Sequence, residues 1–434
     1  MLDTELATPE TQAAAASPPR PASRRPFAWF VASFLLVVCN RIYVPNIHYD
    51  WLNVIPLLAS LYLIYGVLAL TKTCGHIGFV ARSLSEDKSV KKPFASFLCS
   101  PYVRSLVAMF LLLVVGEFGL RCVSYNRSLQ YERQGDLLYT PIPKQEYVEK
   151  ISLTHSQIND LGLRGGPVDT KGKQIVLCLG DSVTYGYGVN DQHTYPAELQ
   201  HALDRAYPGR FAVLNGGVDG YPIPFMRQKF LYLWSRGVHP DVVIVGYSFN
   251  EGGLAHLVNA DADTKDKFAA AVRFKNQVRS FGMYNLIVEN WARASYNRMK
   301  KYMVPGTNFR TLSKEDVETR YRKSLQEFSD DLAAHQVKTV FLLFTGFDGR
   351  SGVYDNKGPF QVQFADFAEQ HGIPLLRSSQ LLMGQSSSTF EIQKYFLDQC
   401  HMKEAGTKTV GQAVARFLPS ILEKPSSSTV SGSQ

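Results

Sequence analysis

Three long apolar runs lead the chain, and behind them short apolar stretches alternate with segments of helical periodicity. Phe27–Val44 is apolar except near Asn40 and Arg41, and Trp51–Leu70 carries no charge. A third run, roughly Tyr102 to Leu120, centres on Leu106–Val115 and has Arg104 near its start. About twenty residues of α-helix cross a hydrocarbon layer ~30 Å thick, so the pattern predicts three transmembrane helices within 27–120. No small-residue cleavage site follows the first run, and Val38 spoils the match of its Val-Val-Cys ending to a lipoprotein box. Lys72, Arg82, Lys88, Lys91 and Lys92 occupy the 71–101 loop, whereas the 45–50 loop has no Lys or Arg. Basic loops stay in the cytoplasm, which predicts a cytoplasmic N-terminus and places everything after the third run outside the cytoplasm. Glu117 falls at the outer end of that run, where a carboxylate costs far less than at mid-membrane.

The periodicity changes at Gln174. Apolar runs predict strands near 174–180, 211–215, 241–248, 338–345 and 373–377. Helical spacing appears near 194–206, 223–236, 316–335, 360–371 and 403–419. Such alternation implies an α/β domain with a parallel sheet and right-handed crossovers. Ser313 to Asp316 forms a capping box, with Val317, Tyr321, Leu325, Phe328 and Leu332 on the buried face behind it. Ala405, Val410, Val414, Phe417 and Leu418 mark the buried face of the last helix. Between the third strand and the 316 helix lies an insertion of helical character, about 252–310. In it Ile287, Trp291, Ser295, Met299 and Met303 recur every four residues, near Arg293, Arg298, Lys300 and Lys301. It reads as a flap on the domain edge with a solvated basic face, or alternatively as a cap over the site. The remaining divisions are a disordered tail over 1–26, a tether over 121–173, a main domain over 174–424 and a Ser-rich tail over 425–434.

Composition narrows the partners. The 434 residues, 45% hydrophobic and 19% charged, are those of a globular chain with room for about two or three domains. A formal net charge of +8 suits nucleic acid or an anionic surface. No nucleic-acid motif accompanies it, and part of the excess flanks the apolar runs. Six cysteines at irregular spacing form neither a disulfide framework nor a zinc pattern. Cys178, inside the first strand, reads as inert core, and Cys400 as a packed thiol.

The candidate chemistry sits at two distant places. At the end of the first strand, Gly180-Asp181-Ser182 breaks the apolar run at the mouth of the sheet. A serine there becomes a nucleophile only if a base takes its proton and fixed donors hold the oxyanion. Far downstream, Asp398 and His401 are three residues apart, so one turn lets the carboxylate hold the imidazole in a single tautomer. Either signal alone is weak, and the pair is strong.

On these residues the chain resembles the SGNH hydrolases, or GDSL esterase/lipase family, over roughly Gln174 to Leu422. Gly180-Asp181-Ser182 matches the nucleophile block, and Asn215-Gly-Gly217-Val-Asp-Gly220 resembles Asn-x-Gly-x-x-Gly. The strand ending at Asn250-Glu251 resembles one ending in Gly-x-Asn-Asp, with Ser248 in place of the glycine and Glu251 in place of the aspartate. Asp398-x-x-His401 matches the last block. The resemblance implies Ser182 as nucleophile, His401 as base and Asp398 as its orienting partner. It also implies an oxyanion hole from the Ser182 amide, the Gly217 amide and the Asn250 side chain, with Asp181 bracing the turn. Asn159-Asp-Leu-Gly162-Leu-Arg164-Gly165 is similar to an approach found in membrane-attached bacterial members. There Arg164 is expected to make a structural ion pair or to meet an anionic substrate group.

The implied fold is a three-layer α/β/α sandwich with flavodoxin-like strand order, preceded by the three membrane helices. The implied protein is a membrane-anchored serine esterase acting on acyl esters of carbohydrate or lipid, O-acetyl groups included, with no metal or organic cofactor. Two alternatives remain. One is an O-acyltransferase for an envelope polysaccharide, which needs a membrane partner because three spans are too few to carry an acyl donor across. The other is a non-catalytic binding or assembly subunit, disfavoured by the intact Ser, Gly, Asn and His set.

Overall fold

The computed structural model describes residues 101–122, 127–149, 154–248, 257, 260–287, 314–348, 352–354, 359–384 and 394–422. The chain divides into two compact units, Met1–Val114 and Val115–Gln434.

The second unit is built on five parallel strands. In chain order these are β5 (Gln174–Gly180), β6 (Phe211–Asn215), β7 (Val242–Tyr247), β8 (Lys338–Leu343) and β11 (Leu375–Arg377). Their order across the sheet is β11-β8-β7-β5-β6. Numbered by appearance this is 2-1-3-4-5, the expected flavodoxin-like order. It leaves β5 and β7 at the centre, with Gly180 opposite Gly246 where both strands end.

Alternation along β5 builds two cores. Leu177 and Leu179 enter one buried cluster with Phe225, Phe230, Tyr321, Phe328 and Phe364, from helices α4 (Ile223–Ser235), α6 (Lys314–Ala334) and α7 (Pro359–Gln370). Val176 and Cys178 enter the other with Tyr195, Leu199, Leu382, Val410 and Val414, from α3 (Tyr195–Ala206), α8 (Ser378–Met383) and α9 (Glu404–Leu422). Side chains on both faces of a strand must be covered, and the two helical layers do so.

The differences from the sequence reading are local. Tyr321, Leu325, Phe328 and Leu332 are buried as expected, while Ser313 lies outside the described residues. On α9, Val410, Val414 and Leu418 are buried, but Ala405 is exposed and Phe417 only half-buried. Glycines carry that face instead: a Cβ on Gly411 would lie 2.7 Å from the Tyr195 carbonyl oxygen, so α9 and α3 pack backbone to backbone there. The tether is not a plain extended link. It folds as two antiparallel hairpins, β1 (Tyr131–Gln134) with β2 (Leu137–Pro141) and β3 (Gln145–Glu149) with β4 (Thr154–Ile158). The fully buried Lys229 of α4 fastens them, donating to Thr140 Oγ1 at 2.7 Å and to the Gly162 carbonyl at 3.1 Å. Burial pulls its ammonium down to about 7. A further hairpin, β9 (Gly346–Asp348) with β10 (Gly352–Tyr354), follows β8.

The insertion begins with helix α5 (Ala262–Arg279), and Ile287 beyond it is exposed. Trp291, Arg293, Ser295, Arg298, Met299, Lys300, Lys301 and Met303 lie outside the described residues, as do the expected spans 27–44 and 51–70 and both tails. The third expected span falls on helix α1 (Pro101–Cys122). Among the described residues no helix is long and apolar enough to cross a membrane, which corrects the expectation for this segment. Arg104 and Glu117 confine its uncharged run to Ser105–Gly116. At 1.5 Å per residue that run covers about 18 Å of a ~30 Å hydrocarbon layer.

Candidate active site

Strand β5 ends at Gly180, and the chain turns at once into a four-residue helix, α2 (Ser182–Tyr185). Asp181 caps it, its Oδ1 accepting the Val183 amide at 2.9 Å. This makes Ser182 the first helical residue, and among the described residues its amide has no hydrogen-bond partner. The residue is only 5% exposed. Gly217 packs directly on this helix, because a Cβ there would come within 2.2 Å of the Tyr185 nitrogen. No other residue permits that approach.

The imidazole arrives from the other end of the chain. Residues 395–403 form a small antiparallel loop, with the Leu397 amide bonded to the His401 carbonyl and the Lys403 amide to the Tyr395 carbonyl, both at 2.8 Å. Inside it Asp398 Oδ1 accepts the amides of Cys400 at 2.9 Å and His401 at 2.8 Å. Its Oδ2 stands 2.7 Å from His401 Nδ1, and His401 Nε2 stands 2.8 Å from Ser182 Oγ. The turn thus fixes both atoms of Asp398, Nδ1 keeps the proton, and Nε2 faces the hydroxyl as an acceptor. The Tyr187 ring lies 4.7 Å from the imidazole, centroid to centroid.

Electrostatics favour a charged dyad. Burial opposes the imidazolium, but the hydrogen bond and charge of Asp398, with the charges of Asp181 and Asp219, outweigh it and raise His401 above its usual 6.5. Burial raises Asp398, but its bonds to His401 and to the two amides hold it well below the ordinary carboxylate range. A general base must be neutral to accept a proton. Activity is therefore expected to rise with pH to a plateau, with a midpoint above 6.5, measured as kcat/KM on a soluble ester. A flat profile down to pH 5 contradicts this environment for His401. Burial also raises the Cys400 thiol, and pushes that of Cys178 up to about 12, so neither is a ready nucleophile.

Asp181 is fully buried, and its Oδ2 accepts the Ser248 hydroxyl. The serine in the place of the expected glycine therefore supplies a brace for the nucleophile turn. Asn250 and Glu251 lie outside the described residues. The Gly217 amide donates to Asn215 Oδ1 at 3.1 Å, so it reaches an oxyanion only by sharing or exchanging that bond.

Arg164 has a structural role, not a substrate one. Its side chain is 1% exposed and ion-pairs through Nε with Asp191 at 2.8 Å. Nη1 donates to the carbonyls of Tyr185 at 3.0 Å and Gly186 at 2.6 Å, and Nη2 to that of Val189 at 2.6 Å. Its guanidinium lies 4.5 Å from the Tyr185 ring centroid, and the Tyr185 and Tyr147 hydroxyls are bonded to each other. Breaking a buried, paired charge costs about 3–5 kcal/mol, equivalent to roughly 10 °C in a domain of this size. Arg164→Ala is expected to lower Tm by that amount in a thermal melt. Arg164→Lys is expected to recover little, since an ammonium cannot span the same fork of carbonyls.

Sequence reasoning therefore named the three residues that the structure brings together, Ser182, Asp398 and His401, and missed the supports. Tyr147 and Tyr185 carry no motif, and Ser248 was visible only as a departure from one. Among the described residues, the cluster with metal-ligand character is Asp398, Cys400 and His401. Two of its three donors are already bonded to each other within the triad.

A profile of the GDSL-like Lipase/Acylhydrolase family matches residues 178–408. No curated protein sequence matches the chain. Solved structures similar to it include a lipolytic protein of the G-D-S-L family from Veillonella parvula DSM 2008, 16% identical, covering 56% of this chain and 98% of that one, with a TM-score of 0.33. The psychrotrophic esterase EstA from Pseudoalteromonas sp. is 11% identical over 58% of this chain and 100% of that one, TM-score 0.33. An acetyl xylan esterase, AlAXEase, is 14% identical over 57% of this chain and 98% of that one, TM-score 0.33.

Proposed function

We propose, from the premise that this chain belongs to the GDSL-like lipase/acylhydrolase family and is an ester-hydrolysing enzyme, that it works through an acyl-enzyme on Ser182. The observation that carries the mechanism is the 2.8 Å contact of Ser182 Oγ with His401 Nε2, between residues 219 apart in sequence. Ser182 Oγ attacks the ester carbonyl carbon while His401 Nε2 takes the hydroxyl proton, and Asp398 stabilises the imidazolium. The tetrahedral intermediate collapses, the alcohol leaves with the proton from His401, and the acyl group stays on Ser182. Water activated by the same imidazole then releases the acid. No step requires a metal or organic cofactor.

The oxyanion is held by the Ser182 amide, the Gly217 amide and the Asn250 side chain. The unpartnered Ser182 amide at a helix start supports the first of these, and the order of the sequence blocks supports the other two. Losing one such donor costs about 100–1000-fold in kcat. Asn250→Ala is expected to show that loss in a steady-state assay, with KM little changed.

The substrates proposed are acyl esters of carbohydrate or lipid alcohols, O-acetyl groups among them. A panel of chromogenic esters of increasing acyl length, followed by acetylated glycans, tests this. If acyl groups pass to an added glycan faster than to water, the transferase reading replaces hydrolysis.

The chain is also proposed to be membrane-attached, with the 71–101 loop in the cytoplasm. The uncharged Trp51–Leu70 run and the basic 71–101 loop support this. A reporter fusion after residue 90 reads this placement, and an extracytoplasmic signal from it rules the placement out.

A further inference from the structure

Helix α5 is polarised along its length. Asp261, Asp263 and Asp266 stand at its start with Lys265 and Lys267 among them, and Arg273, Lys275 and Arg279 in its last two turns. Charges so arranged complement the helix dipole and by themselves call for no partner. The aromatic residues at the basic end are not explained that way. Phe274 is 66% exposed and Phe281 52%, and Ile287 just beyond is exposed too. Val115 and Phe118, on the last turns of α1, are 67% and 70% exposed.

These helix ends are clamped together. Glu117 Oε2 accepts the Met283 amide at 2.9 Å, and Arg121 donates to Glu117 at 2.7 Å and to the Ser280 carbonyl at 3.3 Å. The Arg121 guanidinium lies 5.9 Å from the Phe281 ring centroid. Leu120 sits so close to Gly282 that a Cβ there would fall 2.7 Å from its own. On its other side α5 is tied to β1, where Asn276 exchanges bonds of 3.2 and 2.6 Å with the Tyr131 backbone. The exposed Phe274 and Phe281 rings are therefore held between the last turns of α1 and strand β1.

Exposed aromatic rings with interspersed Arg and Lys are the composition of a segment lying in a lipid headgroup layer. We propose that the basic, aromatic end of α5, with Phe274 and Phe281 as anchors, docks on an anionic phospholipid bilayer. This docking rests on the membrane attachment proposed above and adds a second, peripheral contact to it.

The test uses the full chain in vesicles of phosphatidylcholine and phosphatidylglycerol, with the photocrosslinker benzoylphenylalanine placed at 274, 281 or, as control, 263. Retained hydrolysis of a soluble ester shows that each variant is folded, and resistance to carbonate extraction shows that it is anchored. Crosslinks to phospholipid are expected from 274 and 281 and only background from 263. A carbonate-resistant chain whose 274 and 281 probes label lipid no more than the 263 probe overturns the docking and leaves the anchoring intact. A chain released by carbonate removes the anchoring, and the docking with it. Replacing phosphatidylglycerol by phosphatidylcholine is expected to lower the yield at 274 and 281, and an unchanged yield rejects the anionic preference.

Discussion

Ser182→Ala is expected to lower kcat on a chromogenic ester by around a million-fold, the scale seen when a serine triad loses its nucleophile. Ser248 is committed to Asp181, and the Cys400 and Cys178 thiols are pushed up by burial. The change removes one hydroxyl whose described partner is His401, so the fold and Tm are expected to stay close to wild type. Residual turnover should persist, because the unpartnered Ser182 backbone amide survives in alanine and still polarises a bound ester. Covalent labelling by a fluorophosphonate must vanish in the same variant. Labelling that persists at full stoichiometry places the nucleophile elsewhere and dissolves the acyl-enzyme scheme.

That Ser182, Asp398 and His401 could be grouped in advance has a physical cause. A nucleophile at a strand end and an Asp-x-x-His turn are both local arrangements, so each leaves its full residue set in one short stretch. The central strand was equally readable, because an unbroken apolar run bounded by Gly180 suits a doubly covered strand. Supports that act through the backbone left no such trace. Arg164 spends most of its hydrogen bonds on the main-chain carbonyls of Tyr185, Gly186 and Val189, which any residues would offer, and so the sequence left its role open between substrate and scaffold.

The misjudged face of α9 has the same origin. Apolar spacing picked out Ala405, yet Gly411 makes the close approach to α3, and glycine registers as neutral in any hydrophobic pattern. The hairpins of the tether were hidden by length. Strands of four and five residues, with Glu132, Arg133 and Gln134 among them, give too few alternations to stand out. Their burial depends on partners far away, as when Tyr147 reaches Tyr185 beside the nucleophile.

Asp398→Asn is the sharper probe of how the site works, because it keeps shape and removes one charge. Asparagine can still accept the Cys400 and His401 amides through Oδ1, so the turn survives. Its NH2 group, however, now faces His401 Nδ1 as a donor. The ring must answer with an unprotonated Nδ1, which moves its hydrogen to Nε2 and points a donor at Ser182 Oγ. The base is then in the wrong tautomer, a defect worth about 10⁴ in kcat. A second readout separates this from general damage. Asp398 is among the groups raising His401, so its loss should move the midpoint of the pH profile downward while the rate falls. Tm should change little, since the carboxylate is 40% exposed and solvent screens its pairing. A loss below tenfold with an unmoved midpoint means that another carboxylate orients the imidazole, and Asp181 and Asp219, which also bias it, become the next to replace.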